Sequence, residues 1–500
     1  MDERIKIEYR LLKHRRRVNI IAAKARRLAR DGIKYRIYHK TTNSTRPSTR
    51  EPEAIIDISG LDQIISIDKR RRRAGVEPNV SMEALVTATL KHGLIPAVVP
   101  EFTGITVGGA FSGTALESSS FRYGHFGKSV TSVEVILGNG NIVTVSPVEN
   151  SDLFSSLSSL WCLWHPRYLH DSRNQACSSS SIRRAQDYTA NTSFIDFVDG
   201  IMFGPNDGAV IIGTMTDEKK SGMPVTRFSR VHDPWFTLHV HESVPHVRDA
   251  DCKLCAFSES RSSYKSSIIT ELVPIKDYLF RYDRAAFWMG IYGRNPNVFN
   301  GVTRFMLNPL MKAKSLYAGL HHSGQGQSFF IQDITLPENT VRAFIDWTNE
   351  KFGIYPLWIC PVRAATDSSS RSNRHRISDM LVNVGVWGLK TIRGPDDIPS
   401  LDGAEAFQEF VRDNRAIEQA TRDLGGAKML YATNYYTEEE EFWRIHDKEA
   451  HDELRDKWGA SGLPSLWDKL GNPNPTYKEK SSRFKVVMKT LLKRNYLLKK

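Results

Sequence analysis

The chain is poor in the features that mark several common protein classes. Its 500 residues include only five cysteines without regular spacing, which excludes a disulfide framework and favours a reducing, cytoplasmic compartment. No run of about eighteen apolar residues could span a bilayer, and no secretory signal peptide is present. The lone Cys252-Lys-Leu-Cys255 pair lacks the further ligands that structural zinc needs, so no metal site is predicted. The pattern G-x-G-x-x-G of many dinucleotide-binding domains is also missing.

Positive charge, by contrast, is abundant and concentrated. The formal net charge is +13, held largely by Lys13–Arg17, Lys24–Arg30, Lys69–Arg73 and Lys485–Lys500. Apolar residues at helical spacing accompany this charge at both ends of the protein. They are Leu11, Leu12, Val18, Ile21, Ala22, Ala25 and Leu28 at the N-terminal end, and Phe484, Val487, Leu491, Leu492 and Leu498 at the other.

Three interpretations of these basic ends are open. Basic amphipathic helices can lie on an anionic membrane surface, and peripheral attachment to the endoplasmic reticulum is one localisation that follows. Their apolar sides can instead pack on the protein itself, which is favoured for either end alone. Nucleic-acid binding ranks last, because no recognition motif accompanies the charge.

The segment Thr106–Gly124 has the composition of a ligand-binding backbone. It reads TVGGAFSGTALESSSFRYG and combines four glycines with many hydroxyl residues. Glycine carries no Cβ, so main-chain N–H groups here could approach a pyrophosphate closely. A Gly/Ser-rich surface loop explains the composition equally well.

A second segment upstream favours the ligand-binding interpretation. Tyr38–Pro47 reads YHKTTNSTRP and places small hydroxyl and amide donors beside an arginine, which suits a phosphate-binding loop. Between and beyond these segments the pattern predicts short strands and one helix. The predicted elements are strands at Ala54–Ile58 and Ile64–Asp68, a helix at Ser81–His92, and a strand–turn–strand unit over Val130–Leu137 and Ile142–Val145.

The order of these motifs resembles the delta-24-sterol reductase family of flavoproteins. The resemblance rests on YHKTTNSTRP, VEPNVSMEALV, PAVVPEFTGITVGGAFSGTALESSSFRYGHFG and ENSDLF, and continues through FIDFVDGIMF, PIKDYLFRYDRAAFWMG, YPLWICP and YYTEEEEFW. It extends from Tyr35 to about Leu470. The family implies an α+β, two-domain flavoprotein whose FAD-binding domain is of the p-cresol methylhydroxylase (PCMH) and vanillyl-alcohol oxidase type.

The resemblance also implies a cofactor site and a domain division. The FAD-contacting residues carried over from the family are Thr42, Asn43, Ser44, Thr45 and Arg46, with Thr106, Val107, Gly108, Gly109, Ala110, Phe111, Ser112, Gly113, Thr114, Ala115, Leu116, Glu117 and Ser118. The predicted division is a basic N-terminal helix at 1–34, the FAD-binding domain at 35–193, a substrate domain at 194–470 and a basic tail at 471–500.

One stretch departs sharply from the family pattern. After Leu153-Phe154 the family has a segment like GAAGxFGTLG, whereas this protein reads SSLSSLWCLWHPRYLHDSRNQACSSSS. Codons for Trp161–Ala176 exist that, shifted by one base, encode GAFGTLGTFTTLGIKL. We therefore hypothesise that the deduced sequence is out of frame between about Ser155 and Cys177 and aberrant through residue 193. Coincidence remains the competing explanation.

The family resemblance predicts the reaction. A reduced flavin would deliver a hydride to one carbon of the alkene in a sterol side chain, a protein acid would deliver a proton to the other carbon, and NADPH is the expected electron donor. Aromatic residues of the second domain, Phe280, Tyr282, Phe287, Trp288, Tyr292 and Trp358, are candidates for an apolar pocket. The possible proton donors are Tyr123, Tyr282, Tyr317 and His321, with Asp283 or Arg284 as orienting groups. Tyr317, His321 and Tyr123 are taken as the candidate catalytic residues. Two alternatives stay open: an FAD-dependent oxidase of another apolar or alcohol substrate, and an inactive, flavin-free paralogue or mis-annotated gene model.

Overall fold

The computed structural model describes residues 2–40, 44–45, 50–159, 195–218, 222–230, 232–243, 269–285, 287, 308–323, 325–364, 380–390, 403–471, 475 and 477. They contain both helices and mainly antiparallel strands, which is typical of an α+β fold. The helices are α1 Glu3–Arg30, α2 Met82–Leu90, α3 Val107–Ser112, α4 Ser120–Tyr123, α5 Ser151–Ser159, α6 Phe236–Ser243, α7 Ile275–Leu279, α8 Ala313–Ser323, α9 Val341–Lys351, α10 Ala404–Asp423, α11 Glu439–Ile445, α12 Lys448–Lys457 and α13 Leu466–Leu470. The strands are β1 Arg36–Tyr38, β2 Ile55–Asp57, β3 Ile64–Asp68, β4 Arg73–Val76, β5 Val133–Ile136, β6 Ile142–Val145, β7 Phe197–Gly204, β8 Asp207–Gly213, β9 Phe330–Pro337, β10 Leu357–Arg363, β11 Met380–Gly388 and β12 Ala427–Lys428.

Helix α1 packs on the protein through one face. Val18, Ala22, Ala25 and Leu28 are buried along it, and its C-terminal half contacts an apolar cluster that includes Ile56. The packing interpretation of the basic N-terminal helix is therefore confirmed. Leu12 does not belong to the packed face: it is 68% exposed, because at 100° per residue it points away from Val18. No helix among the described residues is both long and apolar enough to cross a bilayer.

The N-terminal part contains three two-stranded pairs. Strands β1 and β2 are parallel, while β3 with β4 and β5 with β6 are antiparallel. The predicted strands and the helix at 82–90 are confirmed, and helix α2 begins where Ser81 accepts a hydrogen bond from the Ala84 N–H. Arg73–Val76, for which no strand was predicted, form β4.

A six-stranded sheet with the order β12-β9-β11-β10-β7-β8 dominates the second part, and all its pairings are antiparallel. Since successive residues alternate between faces, paired residues share one face of the sheet. One face packs on α9 and α10 and forms an apolar core, as Ile334 and Val384 illustrate. The opposite face carries polar and aromatic residues, among them Asp199, Asp333 and Trp358.

Residues at and after the end of helix α12 contact the N-terminal part of the protein. Lys457 and Trp458 both donate to Asp152 Oδ2, at 2.7 and 3.1 Å. The Tyr35 N–H donates to the carbonyl of Gly462 at 3.3 Å. Lys457, Trp458 and Gly462, which the sequence assigned to the substrate domain, therefore contact residues of the predicted FAD-binding domain.

The segment hypothesised to be out of frame falls largely outside the described residues. Ser155–Ser159 continue helix α5 from Ser151, and residues 160–194 are not described. The basic tail Lys485–Lys500 and the Cys252–Cys255 pair also lie outside the described residues. These three predictions therefore stay predictions.

Candidate functional site

The glycine-rich segment folds into a short helix that presses on a neighbouring turn. Thr106 precedes helix α3 and its Oγ1 accepts from the Gly109 N–H at 3.2 Å. The Gly108 N–H donates to the carbonyl of Pro78 at 2.8 Å. A Cβ on Gly108 would lie 2.9 Å from Pro78 Cβ and 3.1 Å from Pro78 O, so this approach requires glycine.

This segment forms one wall of a large chamber. The chamber has a volume of about 4390 Å³, well above the roughly 300–1,000 Å³ of ordinary small-molecule sites, because it is continuous with grooves that open at the surface. The sequence-predicted cofactor residues that line it are Ser44, Thr106, Val107, Gly108, Gly109, Phe111, Ser112, Gly113, Thr114, Ala115 and Leu116. Most of the carried-over residues that the structure describes are thus brought to one surface.

Four of the predicted cofactor residues that the structure describes do not line the chamber. Ala110 is fully buried in the apolar core beside α2, and Glu117 and Ser118 are buried in a polar cluster behind the wall. Thr45 Oγ1 accepts from the Thr433 N–H at 3.1 Å. Thr42, Asn43 and Arg46 lie outside the described residues.

A segment that the sequence did not single out connects the two predicted FAD loops. Ser44 Oγ donates to the Tyr431 carbonyl at 2.6 Å. Thr114 Oγ1 lies 3.4 Å from Met429 Sδ, and Thr114 holds the uncommon backbone angle φ of +50°. Residues 429–433 therefore contact both loops, and Met429 and Tyr431 line the chamber.

The three candidate catalytic residues are not equivalent. Tyr317 and His321 lie one turn apart on α8. Tyr317 is buried, lines the chamber and packs near Phe102, with ring centroids 6.2 Å apart; burial raises the pKa of its hydroxyl. His321 Nε2 donates to the carbonyl of Ser44 at 2.8 Å, so it holds the loop. Tyr123 is 43% exposed at the end of α4 and lies outside the buried cluster that contains Tyr317.

The predicted pocket aromatics divide in a similar way. Tyr282, Phe287 and Trp358 belong to the buried cluster around Tyr317, whereas Phe280 belongs to the core beside the FAD-binding segment. Trp288 and Tyr292 are outside the described residues. The candidate orienting groups also lie beside the cluster rather than in it. Asp283 accepts from the Thr103 N–H, and Arg284 donates to Asn308 at 2.9 Å.

A buried ionic cluster lies behind the chamber wall. Arg281 Nη2 donates to Glu117 Oε1 and to Asp199 Oδ2, both at 2.8 Å, and all three groups are at most 2% exposed. Asp199 Oδ2 also accepts from the Tyr282 hydroxyl at 2.7 Å and from Trp358 Nε1 at 3.0 Å. The cluster joins the end of the FAD-binding segment to β7 and β10. Because two carboxyl groups share one guanidinium, the pair is favoured to keep a proton on one of them.

Several acids at the site keep their protons to unusually high pH. Burial raises the pKa of Glu117 to about 7 and that of Asp333 to about 6, despite the hydrogen bonds that each carboxylate accepts. Burial likewise raises the pKa of Glu101 to about 8. Sequence reasoning missed Glu101, although its position between Val98-Val99-Pro100 and Phe102 is unusual for a charged residue.

These acids predict a loss of stability at high pH. A carboxyl whose pKa is raised on folding stabilises the protein fully below its unfolded pKa near 4.5 and loses that contribution as pH rises through its folded pKa. Glu117 and Glu101 should therefore lower the free energy of unfolding by about 1–2 kcal/mol between pH 7 and pH 9. Urea titrations at both pH values measure the change, and an unfolding free energy that is flat or rising over this interval contradicts it.

The site fits an FAD whose polar and apolar parts contact different walls. Along the glycine-rich wall, Thr106 Oγ1 accepts from the Gly109 N–H and could donate its own proton to a pyrophosphate, whereas the hydroxyls of Ser112 and Thr114 donate to the carbonyls of Gly108 and Gly113. The N–H groups of Gly108 and Gly109 are bonded to Pro78 and Thr106 and are not directed at a ligand. Leu116 and Trp358 lie in the apolar part of the chamber, which suits a flavin ring and an apolar substrate.

Comparisons with known proteins agree with this fit. The family model described as "FAD binding domain" matches residues 18–146. The protein is 24% identical over 428 residues to Delta(24)-sterol reductase of Homo sapiens, covering 82% of this sequence and 76% of that one. It is 37% identical over 101 residues to decaprenylphosphoryl-beta-D-ribose oxidase of Mycolicibacterium smegmatis, covering 20% and 22% of the two sequences. A solved structure of 6-hydroxy-D-nicotine oxidase from Arthrobacter nicotinovorans aligns with a TM-score of 0.45 at 13% identity, over 92% and 90% of the two proteins.

The protein is accordingly an FAD-binding oxidoreductase with an α+β fold. Its predicted resemblance to the delta-24-sterol reductases is also confirmed, because it matches them over most of its length.

Proposed function

We propose that this protein reduces an alkene in the side chain of a sterol, with FAD as cofactor and NADPH as electron donor. The observation that carries the proposal is the continuity of one chamber from the glycine-rich segment to the aromatic face of the six-stranded sheet. An apolar substrate in the aromatic part would lie beside a flavin held by the glycine-rich wall.

The protein's own residues position and enclose the reactants. FAD, when bound and reduced, supplies a hydride. Thr106 and Ser112 line the polar wall, and Leu116, Trp358 and Trp387 line the part that excludes water from an apolar alkene. Tyr317 is the best placed of the three candidate catalytic residues, because it combines burial with access to the chamber. His321 acts as a positioning residue through Ser44.

Anaerobic turnover tests the proposal directly. Purified protein containing FAD is mixed with NADPH and a sterol that carries a side-chain alkene, and the saturated product is measured by mass spectrometry. NADPH oxidation matched by saturated sterol supports the reductase. FAD-loaded protein that leaves the sterol unchanged contradicts it.

An oxidase is the second candidate, and the partial match to decaprenylphosphoryl-beta-D-ribose oxidase favours it over other enzyme classes. It would act on an alcohol or another apolar substrate and pass electrons to oxygen. Peroxide release in air without NADPH identifies it, and its absence excludes it.

A flavin-free, inactive protein is the remaining alternative. It follows if Ser155–Cys177 is expressed as written, since the family's glycine-rich segment is then lost. Transcript sequencing across Asn150–Phe203, with an absorption spectrum of the purified protein, decides this. An in-frame GAFGTLG reading with bound flavin supports the enzyme, and the written sequence without flavin contradicts it.

We also propose that the outer face of α1 contacts an anionic membrane surface. Ile5, Tyr9, Leu12 and Ile20 recur at helical spacing and are 53–68% exposed, on the side away from the packed face. Arg16 lies within this stripe and is exposed. These apolar groups could enter the headgroup region while the surrounding cations attract anionic lipids.

Charge substitution on this face should weaken membrane binding. In L12E/I20E, two apolar groups that would enter the headgroup region are replaced by charges that anionic lipid repels, so vesicle affinity should fall at least about tenfold. Flotation with phosphatidylserine-containing vesicles measures it. The control is V148E, which changes a valine that is 96% exposed elsewhere. Equal flotation of both variants contradicts the proposal, and α1-dependent dimers without lipid binding would assign the face to a second copy of the protein.

A further inference from the structure

We infer that Glu101 is the acid that holds and donates the proton for alkene reduction. This inference rests on the proposed function. It assigns a catalytic residue in the apolar part of the chamber, on the segment just before the FAD-binding helix α3.

Glu101 and the aromatic cluster line the same chamber. Glu101 is one of its lining residues, and the adjacent Phe102 belongs to the cluster. The ring of Phe102 lies 6.2 Å from that of Tyr317 and 5.9 Å from that of Trp387, centroid to centroid, and Tyr317 and Trp387 also line the chamber. Besides burial, the charge of Glu101 raises the pKa of the Tyr317 hydroxyl, so the carboxyl and the hydroxyl lie within electrostatic range of each other.

The charged surroundings of Glu101 keep it neutral. Glu117 and Asp333 are the nearby acids, and both oppose its ionisation. Arg281 is the nearby cation, but its guanidinium is hydrogen-bonded to Glu117 and Asp199. Asp333 accepts from the Tyr431 hydroxyl at 2.7 Å and from Asn383 Nδ2 at 3.2 Å, so its partners are neutral.

Burial is the largest cause of the raised pKa of Glu101, which lies near 8. The carboxyl therefore carries its proton at neutral pH and is poised close to the operating pH, as an efficient general acid requires. Burial instead raises the pKa of the Tyr317 hydroxyl, which makes the phenol a weaker acid than usual.

The proposed step is balanced. As a bound, reduced FAD would deliver a hydride to one alkene carbon and be oxidised, Glu101 would donate its proton to the other carbon, so that two C–H bonds form as the π bond breaks. The alkene would be reduced and Glu101 left as a carboxylate. Arg281 favours that charged form electrostatically, and water entering after product release returns the proton.

Glu101→Gln tests the donor role because it keeps the shape of the residue and removes the acid. We expect kcat for the sterol to fall about 10²–10⁴-fold, the usual contribution of a positioned general acid. KM and the rate of flavin reduction by NADPH should stay within about twofold. The wild-type kcat should decline above pH 8, and E101D should retain part of the activity with its own pH profile. The control is E83Q, which changes a surface carboxyl paired with Lys276.

A second readout does not depend on turnover. Infrared spectra of the FAD-loaded protein should contain a protonated-carboxyl band that titrates near pH 8 and is missing in E101Q. An E101Q enzyme with wild-type kcat and pH profile overturns the inference, and so does an unchanged infrared band. If the wild type binds FAD, shows the band and yet reduces no sterol alkene, the proposed function fails and the donor role fails with it.

Discussion

Replacing Arg281 with methionine is expected to lower the free energy of unfolding by about 3–5 kcal/mol at pH 8. The guanidinium is fully buried and bridges two buried carboxylates, so its removal leaves Glu117 and Asp199 without a counter-charge. Tyr278 also loses its cation contact, since the Arg281 guanidinium carbon lies 4.1 Å from that ring centroid. Chemical denaturation followed by tryptophan fluorescence measures the change.

The pH dependence of this effect separates lost charge from lost packing. Glu117 takes up a proton as the pH falls through its pKa near 7, so the deficit of R281M should shrink toward pH 5. The control is R415M, in which a 35% exposed arginine loses its 2.8 Å contact with Glu441 and should cost at most about 1 kcal/mol. A deficit that is equal in the two variants, or constant with pH, would show that the buried cluster is not held by charge.

Gly108→Val should weaken FAD binding while leaving most of the fold intact. A Cβ at this position would lie 2.9 Å from Pro78 Cβ, and relief of that overlap must displace the start of helix α3. Overpacking of this kind costs about 1–3 kcal/mol. If the displaced wall loses only about 1.4 kcal/mol of binding energy, FAD affinity falls tenfold. Titration of the apoprotein with FAD, followed by flavin fluorescence, measures the affinity.

Gly60→Val is the matched control for this prediction. Its Cβ would meet nothing closer than Arg17 Cζ at 3.9 Å, an ordinary contact. Wild-type affinity in G60V together with weakened binding in G108V supports the role of the glycine-rich wall. Unchanged affinity in G108V would mean that FAD does not contact this segment.

Local elements were predictable because their signals are local. Strand β3 and helix α2 follow from short apolar patterns and from Ser81, which provides the cap. The FAD-contacting segment followed from the resemblance, and the structure brings most of its described residues to the chamber.

The ionic cluster was not predictable from local patterns. Arg281 is 164 residues from Glu117 and 82 from Asp199, and pairing over such distances depends on the tertiary fold. Glu101 was missed for a related reason, because its unusual pKa arises from burial and from acids on other elements. A charged residue inside an apolar run was the available signal.

The return of the C-terminal helices has a consequence for how the protein matures. Asp152 and Tyr35 are translated some three hundred residues or more before their partners Trp458 and Gly462. The FAD-binding domain of a nascent polypeptide therefore lacks part of its final surface until residues 458–462 have emerged from the ribosome. Contacts so distant in sequence also slow folding, so this domain reaches its finished form well after its own residues have been made.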